Sequence, residues 1–306
     1  MRSLVRAPIQ RFIRMLIATS AGLRFVNLVH RHLSPAARLR FFYLCCDPRW
    51  RVSGHWTIDF AGRRLRLPLS HDFPDAWLSA IGFHGYDLEI YALYERLITG
   101  PRPPRVVFDV GANYGLHALR FLVGGVRVLA FEPNPDCHRW FRTWCAANRV
   151  PCELEAVAVG ERAGTVTLAF PDGRTYLGTT NPEVRQRWPE ATVRAVAVTQ
   201  VALDDVVRER RLAPDFVKID TEGSEIAVLR GAVDLLRTVQ PTLMFEAWRE
   251  ADTRRPLWDI LDKHGYAIAA VSDARAPLTR SAFIEARDTN FLAEVPPGRL
   301  IQCTRQ

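Results

Sequence analysis

Lysine is almost missing from this chain. Among 41 Lys and Arg residues only Lys218 and Lys263 are lysine, a skew that reflects genome composition more than function. The net charge of +8 permits an anionic partner, such as RNA, a membrane surface or an acidic glycan, and selects none of them. Closely spaced cysteine ligands are missing too. The six cysteines, Cys45, Cys46, Cys137, Cys145, Cys152 and Cys303, contain no CxxC pair, which excludes the usual zinc spacing. Adjacent Cys45 and Cys46 are poor disulfide partners, so a reducing compartment fits best. His55, His84, His117 and His264 show neither HxxxH nor HxH spacing, and none reads as a metal ligand. No apolar run is long. The uncharged stretch 15–23 falls far short of the ~20 residues a spanning helix needs. Arg24 and Arg31 follow it without a small-residue cleavage site, which argues against export.

What is present is enough for a full core. At 306 residues and 48% hydrophobic side chains, the chain is one large domain or a domain with an extension. Residues 1–33 interleave Arg2, Arg6, Arg11, Arg14, Arg24 and Arg31 with apolar side chains, the pattern of a basic amphipathic helix lying on a membrane or on the rest of the protein. Residues 36–50 read as a short helix. The alternating runs 56–60 and 64–67 around Ala61-Gly62 predict a hairpin, and 74–98 reads as helix broken near Gly82-Phe83-His84-Gly85. The stiff connector Gly100-Pro101-Arg102-Pro103-Pro104 divides a basic helical and hairpin extension, 1–100, from a second unit, 101–306.

Beyond the connector, strands at 106–110, 126–131, 153–158, 215–220, 241–246 and 266–271 alternate with helices at 115–123, 135–148, 203–211, 224–237 and 254–264. Such alternation predicts an α/β fold with a doubly wound, mostly parallel sheet. A late strand at 290–294 is expected to enter antiparallel at an edge. The alternation breaks at about 163–200, where extra strands at 165–170 and 193–198 flank a polar stretch, an insertion suited to face a substrate.

The apolar run Val106-Val107-Phe108-Asp109-Val110 enters Gly111-Ala112-Asn113-Tyr114-Gly115, and a second run ends in Glu132. Strand, glycine turn, helix and an acid at the next strand's tip make a nucleoside-binding half, the carboxylate holding ribose hydroxyls. A dinucleotide fingerprint would carry glycine at 113 and 116, where Asn113 and Leu116 stand, and Asp109 would repel a pyrophosphate. A ligand with an ammonium, a sulfonium and a ribose but no phosphate suits the loop better, which describes S-adenosyl-L-methionine. Asp109 is expected to orient Asn113 and the loop amides or to meet the ammonium. Asp220 ends a strand at the edge where open α/β sheets bind ligands. Glu222 and Glu225 flank the next helix start, where carboxylates are favourable without a function. Lys218 shares a strand face with Asp220 and needs a charged partner. Glu246 ends the fifth strand. A divalent cation on Asp220, Glu222 or Glu246 is the alternative to the expected absence of a metal.

These motifs resemble the FkbM family of S-adenosylmethionine-dependent methyltransferases over roughly 80–295. The resemblance rests on Gly85-Tyr86-Asp87-Leu88-Glu89, Phe108–Gly115, Ala130-Phe131-Glu132-Pro133-Asn134-Pro135, Ala156-Val157-Ala158-Val159-Gly160 and Phe216-Val217-Lys218-Ile219-Asp220-Thr221-Glu222-Gly223-Ser224-Glu225. It implies the Rossmann-like class I methyltransferase fold and methyl transfer to a hydroxyl of a sugar, glycan or secondary metabolite. It implies Asp109, Gly111, Asn113, Gly115, Glu132 and Ala158 as cofactor-binding residues, with Glu89 and Tyr86 closing over the methionine end. Asp220, Glu222, Lys218 and Glu246 are the catalytic candidates. The rivals are an RNA methyltransferase, for which no RNA-binding module is visible, and a membrane-bound scaffold that holds the nucleoside without chemistry. A cytoplasmic enzyme is expected, with peripheral contact at the inner membrane face through residues 1–33.

Overall fold

The computed structural model describes residues 2–47, 49–73, 75–82, 88–172, 177–249 and 252–297. It opens with α1 (Arg2–Ile17), α2 (Ser20–Arg31) and α3 (Pro35–Cys45). The basic amphipathic stretch is therefore two helices rather than one, bent by 119° at the break. Thr19 makes the break: its side chain accepts a hydrogen bond from Gly22 N and caps α2. Ser34 caps α3 in the same way, with Pro35 in its first turn, where a missing N–H costs nothing. The expected hairpin follows as β1 (Gly54–Phe60) and β2 (Arg63–Leu69), antiparallel and buried on alternate residues. Ala61 and Gly62 both take positive φ, as a two-residue hairpin turn requires. Next come α4 (Asp75–Gly82) and α5 (Leu88–Thr99). The Gly85-Tyr86-Asp87 motif and the expected role of Tyr86 lie outside the described residues, as do His84 and Cys303. The five described cysteines are free.

The second unit runs β3 (Val106–Val110), α6 (Leu116–Val123), β4 (Arg127–Phe131), α7 (Pro135–Asn148), β5 (Glu153–Glu155), β6 (Ala158–Val159), β7 (Gly164–Pro171), α8 (Pro182–Arg185), β8 (Val193–Val201), α9 (Leu203–Arg210), β9 (Phe216–Ile219), α10 (Glu225–Arg230), β10 (Thr242–Glu246), α11 (Arg254–Lys263), β11 (Ala267–Ala270), α12 (Arg280–Glu285) and β12 (Asn290–Glu294). The main sheet has seven strands in the order β11-β12-β10-β9-β3-β4-β5. The pairs β10/β9, β9/β3, β3/β4 and β4/β5 are parallel, and β12 is antiparallel to both neighbours. This is the class I methyltransferase arrangement that the sequence predicts. One detail differs. The late antiparallel strand lies second from the edge, because β12 slots between β10 and β11 and β11 takes the rim. The expected strand 153–158 also splits: Glu153–Glu155 closes the main sheet, and Ala158–Val159 joins a separate sheet of order β6-β8-β7. That small sheet is the insertion, its strands paired over 164–171 and 193–201.

Strand order reverses between β3 and β9, so a crevice opens at their carboxyl ends. Each face of the sheet carries its own apolar cluster. One is built from β9, β10, α10, α11 and α12 side chains such as Val217, Leu229, Phe245, Leu257 and Phe283. The other joins α6 and α7 to the N-terminal extension, with Trp56, Trp77 and Trp144 fully buried in it. Polar ties fix this join. Trp144 Nε1 donates to Pro68 O at 3.0 Å, and Asn148 exchanges hydrogen bonds with the Arg66 backbone at 2.7 and 2.8 Å. The extension is thus packed against α7 beside the crevice.

Candidate active site

A cavity of about 720 Å³ occupies the crevice. Its floor is the loop after β3. Gly111 has φ +73, and a Cβ there would sit 1.9 Å from the Asp220 carbonyl oxygen, so only glycine lets the two strand ends approach. The Gly111 and Ala112 amides both donate to Phe131 O at 3.0 Å, which binds the loop to the end of β4. Asn113 also takes positive φ and lines the cavity. Gly115 serves the fold instead. It does not line the cavity, and a Cβ there would meet the Phe141 ring at 2.1 Å.

Glu132 lines the cavity from the tip of β4. Its Oε2 accepts from Asn113 N and its Oε1 from Asn134 N, both at 2.7 Å. Burial pushes its carboxyl up to about 7, against the opposing pull of those two amides. The side chain therefore pins both flanking loops and still has acceptor capacity on each oxygen. Ala158 lies on the same wall, between Val157 and Val159.

Asp109 differs from expectation. It is buried away from the cavity, and the Asn113 amide it was to orient belongs to Glu132. Asp109 Oδ2 accepts from Ala118 N at 2.9 Å in the first turn of α6, and Oδ1 lies 3.2 Å from Lys218 Nζ. Burial pushes its carboxyl up, with Lys218 opposing. Lys218 donates to Gly111 O at 2.7 Å and stands 3.6 Å from Asp220 Oδ2. Burial alone would lower the ammonium, but Asp109 and Asp220 outweigh it and hold it above the usual lysine range. The lysine is the paired cation of the site, tying β9 to the β3 loop.

Asp220, Thr221 and Glu222 line the opposite wall. Carboxylate oxygens of Asp220, Glu222 and Glu246 all lie within 4.8 Å of one another, a donor set that suits a hard divalent cation. Burial, then Asp220, pushes Glu222 up to about 8, and burial with Asp220 and Glu222 pushes Glu246 up to about 9. Glu246 opens on a small neighbouring crevice with Gly223, Trp248 and Thr253 rather than on the main cavity. Glu225 holds the loop: its Oε1 accepts from Thr221 N, Thr221 Oγ1 and Gly223 N. Glu89 sits in the first turn of α5, outside the cavity wall.

The model of the methyltransferase FkbM domain matches residues 109–268, just over half of the chain. The chain belongs to this family. Among its relatives are the 31-O-demethyl-FK506 methyltransferase FkbM of Streptomyces tacrolimicus, 31% identical over 160 residues, covering 44% of this chain and 61% of that protein, and the hexuronic acid methyltransferase AglP of Haloferax volcanii, 27% identical, covering 44% of this chain and 52% of that protein. The chain thus spans less than two thirds of either relative. A crystal structure of methyltransferase FkbM from Methylobacillus flagellatus KT is 20% identical, covers 72% of this chain and 54% of that one, and superposes with a TM-score of 0.40.

The FkbM-domain cavity also draws on residues that sequence reasoning passed over. The extension supplies Phe42, Cys46, Leu78, Ser79 and Gly82 to its wall. His117 and Tyr91 line it from α6 and α5. His117 Nδ1 and Tyr94 OH are 2.9 Å apart, and burial lowers the imidazole well below its ordinary range, so it is neutral. Arg120 stacks on Tyr91 at 3.5 Å. His117 and Arg120 interrupt an otherwise apolar helix at i, i+3 spacing, and that was the available signal. The insertion clamps the acidic loop: Thr179 Oγ1 donates to Glu222 O and Asn181 Nδ2 to Gly223 O, each at 2.7 Å.

Proposed function

We propose that this protein is an S-adenosyl-L-methionine-dependent O-methyltransferase acting on a hydroxyl of a small metabolite or sugar. The observation that carries the reading is one cavity walled on one side by Glu132 at the β4 tip and on the other by Asp220 and Glu222 after β9. The names of the relatives, one for a demethylated natural product and one for a hexuronic acid, support the acceptor class. The cavity's size and lining fit the donor. Glu132 presents a fixed carboxylate to ribose hydroxyls, and Asn113 and the Gly111 backbone floor the site. Val157, Ala158 and Phe131 offer an apolar wall to a base.

When bound, S-adenosyl-L-methionine supplies an electrophilic methyl on a sulfonium. The chain's own groups align the acceptor. Asp220 faces the cavity beside Lys218, whose ammonium is fixed by Asp109 and Gly111 O. Its carboxylate orients the acceptor hydroxyl and takes its proton. Glu222, held near neutral titration, is placed to relay that proton onward. The apolar side chains Phe42, Leu78, Leu116 and Leu168 exclude water from the acceptor side.

The test is methyl transfer from labelled donor to a panel of sugars and polyhydroxylated metabolites. Asp220→Asn is expected to slow turnover about 10²–10⁴-fold, the usual worth of general-base help, with donor affinity unchanged. Turnover near the parent's would move the reacting carboxylate elsewhere. No transfer to any sugar or metabolite of the panel, with transfer to RNA, would overturn the acceptor class.

A further inference from the structure

We propose that the outer face of the α1–α2 hairpin docks on an anionic lipid bilayer. Apart from Val233 and Val239, every exposed large apolar side chain among the described residues lies on α1, α2 or α3. On α1 these are Ile9, Phe12 (57% exposed) and Met15 (62%), spaced i, i+3, i+6 along one face; on α2 they are Phe25 (59%), Leu28 (52%) and Val29. The opposite faces are committed to the body of the protein: Ile13, Leu16 and Ile17 of α1 pack into the core with Leu23 and Val26 of α2. Asn27 pairs with Thr57, and Arg31 with Asp59. A helix pair so anchored cannot also thread a bilayer, and neither helix is long and apolar enough to cross one. It can lie in the interface with its outward side chains buried among headgroups.

Charge selects the partner. Residues 1–46 hold eight arginines and no aspartate or glutamate, and Arg11, Arg14, Arg24 and Arg40 are exposed. A second copy docked through the same face would set arginine against arginine, which is repulsive. A nucleic acid would neutralise the arginines but leave Met15, Leu28 and Val29 uncovered, since aliphatic side chains offer no stacking surface. An anionic bilayer satisfies both components at once. The face is also joined to the cavity. Arg6 donates to Tyr43 O and Gln10 to Leu44 O, each at 2.7 Å, and α3 carries Phe42 into the cavity wall. The inference is independent of the acceptor.

The experiment is co-sedimentation of the full chain with phosphatidylcholine vesicles, either pure or containing about 30% phosphatidylserine. The parent is expected to pellet with the anionic vesicles only, and to be released when salt rises about ten-fold. Phe12→Ser with Phe25→Ser should weaken binding at least about ten-fold, as should Arg11→Glu with Arg14→Glu and Arg24→Glu, because burial and charge both contribute. All substituted side chains are exposed, and an unchanged circular dichroism spectrum and melting temperature will verify the fold. Parent protein left in the supernatant with anionic vesicles at low salt would overturn the proposal. So would pelleting that neither variant reduces. A dimer in light scattering that the Phe variant abolishes, without vesicle binding, would assign the face to a second copy instead.

Discussion

Lys218→Met removes the cation that pairs with buried Asp109 beneath the floor of the site. Lys218 and Asp109 are both buried, with Nζ and Oδ1 3.2 Å apart. At an effective dielectric of about 20, that separation is worth about 5 kcal/mol of attraction. The lysine's own desolvation offsets part of this, and Asp220, a third exposed, adds only a screened share. Deleting one partner of such a pair typically costs about 3–5 kcal/mol, because the other charge stays buried. Methionine keeps most of the volume, so little of the loss is packing. The variant should unfold at markedly lower urea, with the slope of the transition unchanged. The loss should also depend on pH. Without Lys218, the Asp109 carboxyl rises further above its ordinary value in the folded state. A raised folded value stabilises at low pH, and that contribution disappears as pH climbs through it. The deficit against the parent should therefore be larger at pH 8 than at pH 5. Replacing Asp109 by Leu in the same chain should recover much of the loss. An unfolding free energy of Lys218→Met within about 1 kcal/mol of the parent at pH 8 would refute the pairing as a structural tie.

Other outcomes follow from the same geometry. Gly111→Ala should abolish donor binding or soluble expression, because its Cβ would lie 1.9 Å from the Asp220 carbonyl oxygen; a well-folded variant with parental affinity would contradict the close approach. Glu222 and Glu246 have folded values raised to about 8 and about 9. Their contribution to stability is present in full at low pH and is lost as pH rises through those values. Melting temperature should thus fall between about pH 5 and pH 9, and Glu222→Gln with Glu246→Gln should flatten that slope; equal slopes would show that burial and the neighbouring carboxylates do not raise these two groups. His117→Phe should break the hydrogen bond to Tyr94 while keeping the cavity wall apolar, lowering stability by about 0.5–1.5 kcal/mol in thermal unfolding; a variant as stable as the parent would show that the pair is not a tie.

The sequence exposed what is local in the chain. Val106–Val110 running into Gly111, and Phe216–Ile219 running into Asp220, each carry a strand signal and a loop signal within ten residues, so strand, turn and site edge were legible together. The insertion showed itself the same way, by strands breaking the helix alternation. Contacts between distant segments were not legible. Nothing near Phe42 or Leu78 announces that they wall a cavity on the far side of the chain. Asp109 and Glu132 were both read as ligand-facing acids. Which one turns inward is decided by Lys218 across the strand pair and by the first turn of α6, a three-dimensional choice that spacing cannot express. The break between α1 and α2 was written in Thr19, but a cap within a basic amphipathic stretch is easily read through. β12 left the rim because β11 pairs with its far side, a matter of strand order that no single strand encodes.

Donor binding tests the central claim most directly. Calorimetric titration of the purified chain with S-adenosyl-L-methionine should show one saturable site per chain. Glu132→Ala, compared at a temperature where both proteins are folded, should weaken it by about 1.5–3 kcal/mol, the worth of hydrogen bonds to a charged group. The Asn113 and Asn134 amides also lose their acceptor, so the variant should melt earlier as well. No heat of binding with the parent, or equal affinity in a folded Glu132→Ala, would contradict the account.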